Sequence, residues 1–301
     1  MPSTQSGRDV NALRKPHDDE VDVYGLTHAG NVRKNNQDHF LICSVRKQVQ
    51  VHRTSLADVE RLPLAGERMA FLAVVADGVG GGTKGEAASR LALERVTEYI
   101  GVTMRAYHDL DAADDQPFLD ALQDAAWKCH ASLIAEAEGN PDRRGMATTM
   151  TLWLAVWPRA YLLQVGDSRF YVFRDDKLTR ISRDQTMAQE LVDQGVLTHA
   201  TAMNTKWANV LSSSIGGQQT APVVTRLDQD WGNVNLLCSD GLTKHVPDER
   251  IAERLRTMTS SQQACEALLQ DALDGGGSDN VSVVVVRDVK RPEYDAAEGS
   301  A

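Results

Sequence analysis

Apolar strand-forming segments of this 301-residue chain repeatedly end at, or begin just after, an aspartate. The segment FLAVVA at 71–76 runs directly into Asp77, and NLLCS at 235–239 runs into Asp240 in the same way. Short unbroken apolar runs of this kind are typical of strands buried on both faces. A carboxylate in such a place is costly unless it is paired or binds a metal ion. The fold must therefore compensate these charges where the strands end.

Five aspartates have this position in the sequence: Asp38, Asp77, Asp167, Asp240 and Asp279. Taken one at a time, each is equally well explained as a turn or capping residue. The same placement five times instead indicates that strand ends converge and that their carboxylates share cations. Carboxylate oxygens suit Mg²⁺ or Mn²⁺, and these segments offer no zinc-type set of histidines and thiolates. We expect the glycines beside three of the aspartates to let a backbone carbonyl approach an ion and to leave room for substrate.

Most strand signals follow one another along the chain, and the two longest helix signals are adjacent. The predicted strands lie at 21–27, 39–45, 69–76, 149–157, 160–166, 169–174, 234–240 and 281–288. The predicted helices begin after Thr83 and cover about 117–138, 185–195 and 247–273, the last broken near Ser260. This order favours an α+β fold in which two antiparallel sheets pack together with helices outside. Residues 45–68 are predicted to form a hairpin or surface excursion.

The ends of the chain and its charge indicate a soluble cytoplasmic domain. Residues 1–19 are predicted to be a disordered arm and 289–301 a short tail, with no leader and no apolar run long enough to span a membrane. The formal net charge of −10 without a basic patch argues against a nucleic-acid partner. It also means that an anionic substrate needs a local cation. The four cysteines contain no CxxC pair, so we expect reduced, mostly buried thiols.

Four other kinds of site fit the sequence poorly. The glycine cluster at 78–82 lacks the Gly-Lys-Ser/Thr end of a Walker A loop and the third glycine of a dinucleotide-binding fingerprint. Cys238 and Lys244 mimic a cysteine phosphatase loop, but lysine lacks the planar fork of arginine. Ser168 lies outside a G-x-S-x-G elbow. We therefore expect neither Cys238 nor Ser168 to be a nucleophile.

These segments, in this order, resemble the metal-dependent protein Ser/Thr phosphatases of the PP2C (PPM) family, in their bacterial form. The resemblance rests on GNVRKNNQD, VVADGVGGGTKGEAAS, GMATTM, VGDSR, NVLSSSIGG, LLCSDGL and GGGSDNVSVVVV, spread over residues 30–286. It implies a four-layer α/β-β/α sandwich, with one phosphatase domain at 20–288 and a flap at about 184–215. His199 and Trp207 in the flap are candidates for substrate contact or for packing.

The resemblance also implies roles for single residues. Asp77 bridges two divalent cations, Mn²⁺ or Mg²⁺, and the Gly78 carbonyl helps to hold one of them. Asp240 and Asp279 hold the other, and Asp38 supports the site through metal-bound water. Arg33 binds the substrate phosphate, and a solvated surface charge is the less favoured alternative. Asp167 is a possible ligand of a third, weaker ion.

Three residues depart from the family pattern. Gln37 stands where many members have glutamate, and Val79 stands where eukaryotic members carry a histidine proposed as general acid. Lys244 replaces an acidic residue of some members, which weakens the case for the third ion. The implied activity is hydrolysis of phosphoserine and phosphothreonine by a water that two ions activate, in a monomer that opposes a Ser/Thr kinase. A catalytically inactive phosphoprotein-binding module and a metal-stabilised structural domain are the competing hypotheses.

Overall fold

A computed structural model describes residues 14–47, 66–107, 115–202 and 204–294 of the chain. One antiparallel sheet, the first sheet, contains five strands: β1 Val21–His28, β7 Arg169–Arg174, β8 Lys177–Arg180, β10 Val234–Cys238 and β11 Val281–Asp288. Their spatial order is β1-β11-β10-β7-β8, so the two ends of the chain's strand sequence lie side by side. The first sheet thus joins the earliest strand to the last.

The second sheet is built mainly from the middle of the chain. Its strands are β2 Asp38–Lys47, β3 Glu67–Val79, β4 Ala147–Thr148, β5 Met150–Val156, β6 Arg159–Val165 and β9 Val223–Asp228. The order is β2-β3-β5-β6-β9, with β4 paired to the end of β3. All eight predicted strand segments are strands here, and β4, β8 and β9 lie outside those segments. Most of the predicted excursion at 45–68 lies outside the described residues.

The helices are α1 Thr83–Tyr107, α2 Gln116–Gly139, α3 Met187–Asp193, α4 His199–Ala202, α5 Asp240–Thr243, α6 Asp248–Arg256 and α7 Ser261–Asp274. The predicted break near Ser260 is confirmed, because its side chain accepts a hydrogen bond from the Gln263 N–H and caps α7. Thr83, predicted to cap α1, is its first helical residue instead.

Alternating side chains of the central strands fill three separate apolar layers. In β3, Leu72 and Val74 pack against α1 and α2, whereas Ala73 and Val75 face the other sheet. In β11, Val284 faces the space between the sheets and its neighbours pack against α7. Because both faces of these strands are buried, their sequences are continuously apolar. The architecture is the expected four-layer α/β-β/α sandwich.

The ordered fold extends beyond the predicted domain limits. Glu20, fully buried, accepts hydrogen bonds from the Arg14 guanidinium and from the backbone N–H groups of His17 and Arg291. Tyr294 stacks on His17 with ring centroids 4.0 Å apart. Residues 14–19 and 289–294, which we assigned to the arm and the tail, are therefore packed on each other around one buried carboxylate. We call this contact the terminal clasp.

Candidate active site

Two of the predicted ligands are neighbours across a pair of strands. Asp38, the first residue of β2, lies directly opposite Asp77 of β3. Residues in such positions on an antiparallel ladder have Cβ atoms about 5 Å apart, and like charges there repel. Asp38 is buried and Asp77 is half-buried. The pair therefore favours a cation or a shared proton between its carboxylates.

The other three predicted ligands approach from the first sheet and from the connection between the sheets. Asp240 follows β10, Asp279 precedes β11, and Asp167 lies between β6 and β7. Burial raises the pKa of Asp77 well above its ordinary value, and four other carboxylates raise it further: Asp38, Asp240, Asp167 and Asp279. The structure thus brings all five aspartates into one electrostatic cluster.

Two members of the cluster have protonation behaviour set mainly by burial. Burial, together with the charges of Asp240 and Asp279, raises the pKa of Asp38 to about 7. The nearby hydroxyls of Ser239 and Ser282 oppose this rise in pKa. In the structure, however, Ser239 donates to the Asn280 carbonyl and Ser282 donates to Thr27 Oγ1. Burial and the charge of Asp240 raise the pKa of Asp167 to about 8.

The donor set suits a hard divalent cation. Both carboxylate oxygens of Asp38 and Oδ1 of Asp240 are buried without a hydrogen-bond partner. Unpartnered buried carboxylate oxygens are costly, and binding to Mg²⁺ or Mn²⁺ is a way to satisfy them. The chemistry of these residues therefore suits such an ion, although within the described ranges no group of three Asp, Glu, His or Cys side chains lies close enough together to hold one.

Two cations of the protein are paired with the carboxylates of the first sheet. Arg33 donates from Nε to Asp279 Oδ1 at 2.8 Å and from Nη2 to Oδ2 at 3.0 Å. Lys244 Nζ lies 2.6 Å from Asp240 Oδ2 and 2.8 Å from Asp279 Oδ2. Burial disfavours the charged form of Asp279, but these two cations outweigh it and hold its pKa below the usual value. Arg33, which we predicted to bind phosphate, is thus paired with Asp279, a predicted metal ligand.

Asn280, which we did not predict as a site residue, holds the loop that carries Arg33 against the loop that carries Asp279. Its Oδ1 accepts from the Gln37 N–H at 2.8 Å, and its Nδ2 donates to the carbonyls of Ala29 at 3.0 Å and Asn35 at 2.9 Å. Its position directly after Asp279 was the available sequence signal. These bonds fix the distance between the two loops.

Glycines beside the aspartates are required by contact between backbones. A Cβ at Gly78 would overlap the Gly85 carbonyl, and one at Gly241 would overlap the Asn280 carbonyl. Open space is found instead at Gly81 and Gly82, whose φ angles are +63° and +61°. We expected these glycines to leave space for substrate beside the ligands. At Gly78 and Gly241 that space is instead occupied by neighbouring backbone.

A hydroxyl network links the two sides of the cluster. The Asp77 N–H donates to Thr149 Oγ1 at 3.0 Å, and that hydroxyl lies 2.7 Å from the Ser168 hydroxyl. Ser168 follows Asp167 directly in the sequence. The network gives the buried Ser168 hydroxyl a structural role, so a role as nucleophile is not needed to explain it. It also fixes the position of Asp77 relative to Asp167.

The predicted flap corresponds to residues 186–211, which leave and rejoin the fold at one point. Thr186 and Leu211 form an isolated bridge at its base. Just outside, Gln185 accepts from the Gly166 N–H at 2.7 Å and donates to the Ala221 carbonyl at 2.9 Å. Trp207 is 40% exposed and His199 is exposed. The base of this flap segment is thus tied to the residue that precedes Asp167.

Of the departures from the family pattern, Val79 is exposed at the end of β3 and offers no proton. Gln37 donates from Nε2 to the Gly82 carbonyl at 2.5 Å, so it supports the glycine loop. Cys238 is fully buried, and burial raises the pKa of its thiol to about 12, in agreement with an unreactive thiol. The four cysteines are free thiols.

Two packed antiparallel sheets, flanked by helices and carrying a carboxylate cluster where their strands end, define a class of α/β-β/α sandwich proteins with a candidate cation site. Residues 64–282 match the sequence family described as protein phosphatase 2C. The chain belongs to this family.

The serine/threonine protein phosphatase PstP of Mycobacterium tuberculosis is 38% identical to this chain over 219 residues, which are 72% of this chain and 40% of that protein. The chain thus matches about two-fifths of the length of that relative. Protein phosphatase PhpP of Streptococcus pneumoniae is 29% identical over 271 residues, which are 88% of this chain and 97% of PhpP.

Solved structures show the same architecture. The crystal structure of M. tuberculosis PstP/Ppp superposes with a TM-score of 0.71 at 31% identity, covering 90% of this chain and 99% of that one. A structure of the PstP catalytic domain in complex with two manganese ions has a TM-score of 0.67 at 30% identity, with the same coverage. In the described part of the present chain, no helix is both long and apolar enough to cross a membrane.

Proposed function

We propose that this chain hydrolyses phosphoserine and phosphothreonine on proteins with the help of two divalent cations, Mn²⁺ or Mg²⁺, and so opposes a Ser/Thr kinase. The observation that carries the proposal is the convergence of four other aspartates on Asp77, with buried oxygens of Asp38 and Asp240 left without partners. Membership of the protein phosphatase 2C family and the two manganese ions of the similar PstP domain support it.

The residues that would hold the ions come from both sheets. Asp77 and the Gly78 carbonyl would hold one ion, and Asp240 and Asp279 would hold the other together with Asp77. Asp38 would act through water, and Asp167 is the candidate ligand of a weaker third ion. When bound, the ions supply an activated water and neutralise charge on the phosphate. The buried carboxylates then serve to position them, because phosphoryl transfer needs mainly positioning and charge stabilisation.

Arg33 is the candidate phosphate-binding group of the protein itself. Its side chain is 56% exposed, and its Nε and Nη2 atoms are the ones that donate to Asp279. A guanidinium anchored in this way keeps Nη1 directed elsewhere and can add a charge-assisted bond to a phosphate oxygen. Anchoring by Asp279 also limits the conformational freedom that a long side chain loses on binding.

Selection among phosphoproteins is assigned to the flap segment. Its exposed Trp207 and His199 offer an aromatic face and a polar ring on a segment whose base is joined to Gly166, next to Asp167. Aromatic side chains with an exposed face are enriched at binding surfaces. We therefore assign peptide contact to the flap and the chemistry to the carboxylate cluster.

One observation favours the alternative of a phosphoprotein-binding module without catalysis. Arg33 and Lys244 already neutralise Asp279 and Asp240, so the cluster is partly compensated without ions. Such a module would bind a phosphopeptide and release it unchanged. Hydrolysis therefore has to be tested separately from binding.

The test is hydrolysis of an aryl phosphate and of a phosphothreonine peptide by the purified chain, first with Mn²⁺ or Mg²⁺ and then with excess chelator. We expect turnover that depends on the metal and stops on chelation. An equal rate in excess chelator would contradict the two-ion proposal. Binding of the phosphopeptide in the presence of Mn²⁺, without release of phosphate, would instead support the binding module.

A further inference from the structure

Lys244 occupies an unusual position for a lysine, between two carboxylates assigned to the same ion. It follows α5, where the i,i+4 spacing places its ammonium 2.6 Å from Asp240 Oδ2, and the same atom lies 2.8 Å from Asp279 Oδ2. Asp279 is 35 residues away in the chain, so this second contact depends on the tertiary fold. Arg33, the other nearby cation, donates to Asp279 alone among the described carboxylates.

The contact is an ion pair in a partly buried position. The Lys244 side chain is 26% exposed. An ordinary lysine ammonium is charged at neutral pH, and in this position it offsets the mutual repulsion of the two carboxylates.

A divalent cation at Asp240 and Asp279 needs the same negatively charged oxygens with which the Lys244 ammonium is already paired. Mg²⁺ binds carboxylate oxygens at about 2.0–2.1 Å and tolerates little distortion of its ligands. An ammonium hydrogen-bonded to the same oxygens must either leave or remain as a nearby positive charge. Both outcomes reduce the free energy gained by binding the ion, the first by breaking two ion pairs and the second by repulsion.

We propose that Lys244 is a tethered competitor for the divalent cation at Asp240 and Asp279, which weakens binding of that ion and stabilises the ion-free site. This inference rests on the proposed function, because it takes these two aspartates as ligands of one ion. It makes the two ion sites unequal. The ion held through Asp77 and Gly78 binds more tightly, and the one beside Lys244 binds at higher metal concentration.

The experiment measures Mn²⁺ binding by isothermal titration calorimetry on protein freed of metal with chelator. We expect two Mn²⁺ sites in the wild type and, in Lys244→Met, a tightening of the weaker site by about tenfold or more. Lys244→Gln should act in the same way, whereas Lys244→Arg, which keeps the charge, should leave the weaker site weak. Lys177→Met, a change at an exposed lysine of the β7–β8 hairpin, is the matched control and should change neither site.

A second readout, thermal unfolding with chelator and then with Mn²⁺, needs no turnover. In chelator, Lys244→Met should melt at a lower temperature than the wild type, because Asp240 and Asp279 lose a shared cation, and Mn²⁺ should raise its melting temperature more than that of the wild type. Two sites of unchanged affinity in folded Lys244→Met and Lys244→Gln would overturn the inference alone. Failure of the wild type to bind Mn²⁺ at all would instead overturn the proposed function, a separate and recognisable result.

Discussion

The side chain of Asn280 accepts a hydrogen bond from the Gln37 N–H, 243 residues earlier in the chain, at 2.8 Å. The same side chain donates to two carbonyls of the loop that carries Arg33. We expect Asn280→Ala to lower the free energy of unfolding by about 1–3 kcal/mol, because it removes three hydrogen bonds from partly buried backbone groups. Urea unfolding followed by circular dichroism measures the change.

The matched control for this change is Asn204→Ala, at an exposed asparagine that donates only to the Ala200 carbonyl among its recorded bonds. Its effect should stay within about 0.5 kcal/mol. Equal effects of the two substitutions would mean that the loops near Asp279 are held together by something other than Asn280.

Replacement of Asp240 by asparagine should lower metal-dependent turnover by orders of magnitude. The change keeps the shape of the side chain and removes a charge that the proposed ion needs. Initial rates on a phosphothreonine peptide across a Mn²⁺ series measure it. Asp124→Asn, on the exposed face of α2, is the control and should retain the wild-type rate. Wild-type turnover by Asp240→Asn would mean that this aspartate is not a ligand.

Loss of the Arg33 side chain should weaken phosphate binding. We expect Arg33→Ala to raise the inhibition constant of inorganic phosphate about 10- to 100-fold, the value of one or two charge-assisted hydrogen bonds. Arg90→Ala, at an exposed i,i+4 pair with Glu94 on α1, provides the comparison and should leave phosphate inhibition unchanged. An unaltered inhibition constant in Arg33→Ala would mean that Arg33 does not bind phosphate and serves only as the ion-pair partner of Asp279.

The terminal clasp should make stability depend on pH in the acid range. Burial opposes the charge of Glu20, but hydrogen bonds from Arg14, His17 and Arg291 outweigh it and lower its pKa to about 2, from 4.5. A depressed folded-state pKa stabilises the fold above pH 4.5, and this contribution is lost as the pH falls toward 2. Glu20→Gln should therefore cost about 1–3 kcal/mol at pH 7.

This difference in stability between wild type and Glu20→Gln should shrink steadily below pH 4.5, as measured by urea unfolding at a series of pH values. Glu98→Gln, at an exposed surface pair with Arg95, should cost no more than about 0.5 kcal/mol at any pH. A constant difference for Glu20→Gln from pH 7 to pH 3 would show that its ionisation is not what holds the clasp.

Two glycine-to-alanine changes should have opposite signs. Gly241→Ala places a Cβ against the Asn280 carbonyl and should cost about 1–3 kcal/mol. Gly101→Ala lies within α1, where a Cβ meets no atom within 4 Å, and should stabilise the fold by about 0.5–1 kcal/mol. Thermal unfolding of both variants checks the pair, and destabilisation by Gly101→Ala would contradict the second prediction.

The strands that carry the aspartates were predictable because both of their faces are buried. In β3 and β11 an unbroken apolar run leaves little alternative to a central strand, and an aspartate lies within two residues of the strand end: Asp77 before the end of β3 at Val79, and Asp279 before the start of β11 at Val281. The strand β9 was missed because it lies at the edge of its sheet and is half-exposed, so its sequence VVTRLD lacks a strong apolar pattern. Packing at an edge strand leaves a weaker trace in the sequence.

The contacts between residues of the site were harder to predict than which residues belong to the site. The i,i+4 spacing of Asp240 and Lys244 was visible, but the contact of Lys244 with Asp279 depends on how β10 and β11 pair. The clasp around Glu20 likewise joins residues 14–20 to residues 289–294, and neither segment is apolar enough to signal packing by itself. Such contacts follow from the tertiary fold, because the charged groups find each other only after the sheets have formed.

The shared base of the flap segment has a consequence for protein engineering. Because residues 186–211 depart from and return to one bridge, between Thr186 and Leu211, they form a cassette with a single junction. Exchanging this cassette for that of another family member would change the surface offered to a peptide while leaving the strands that bear the aspartates intact. With the flap segment in its proposed role of peptide contact, such chimeras would vary specificity independently of the proposed chemistry.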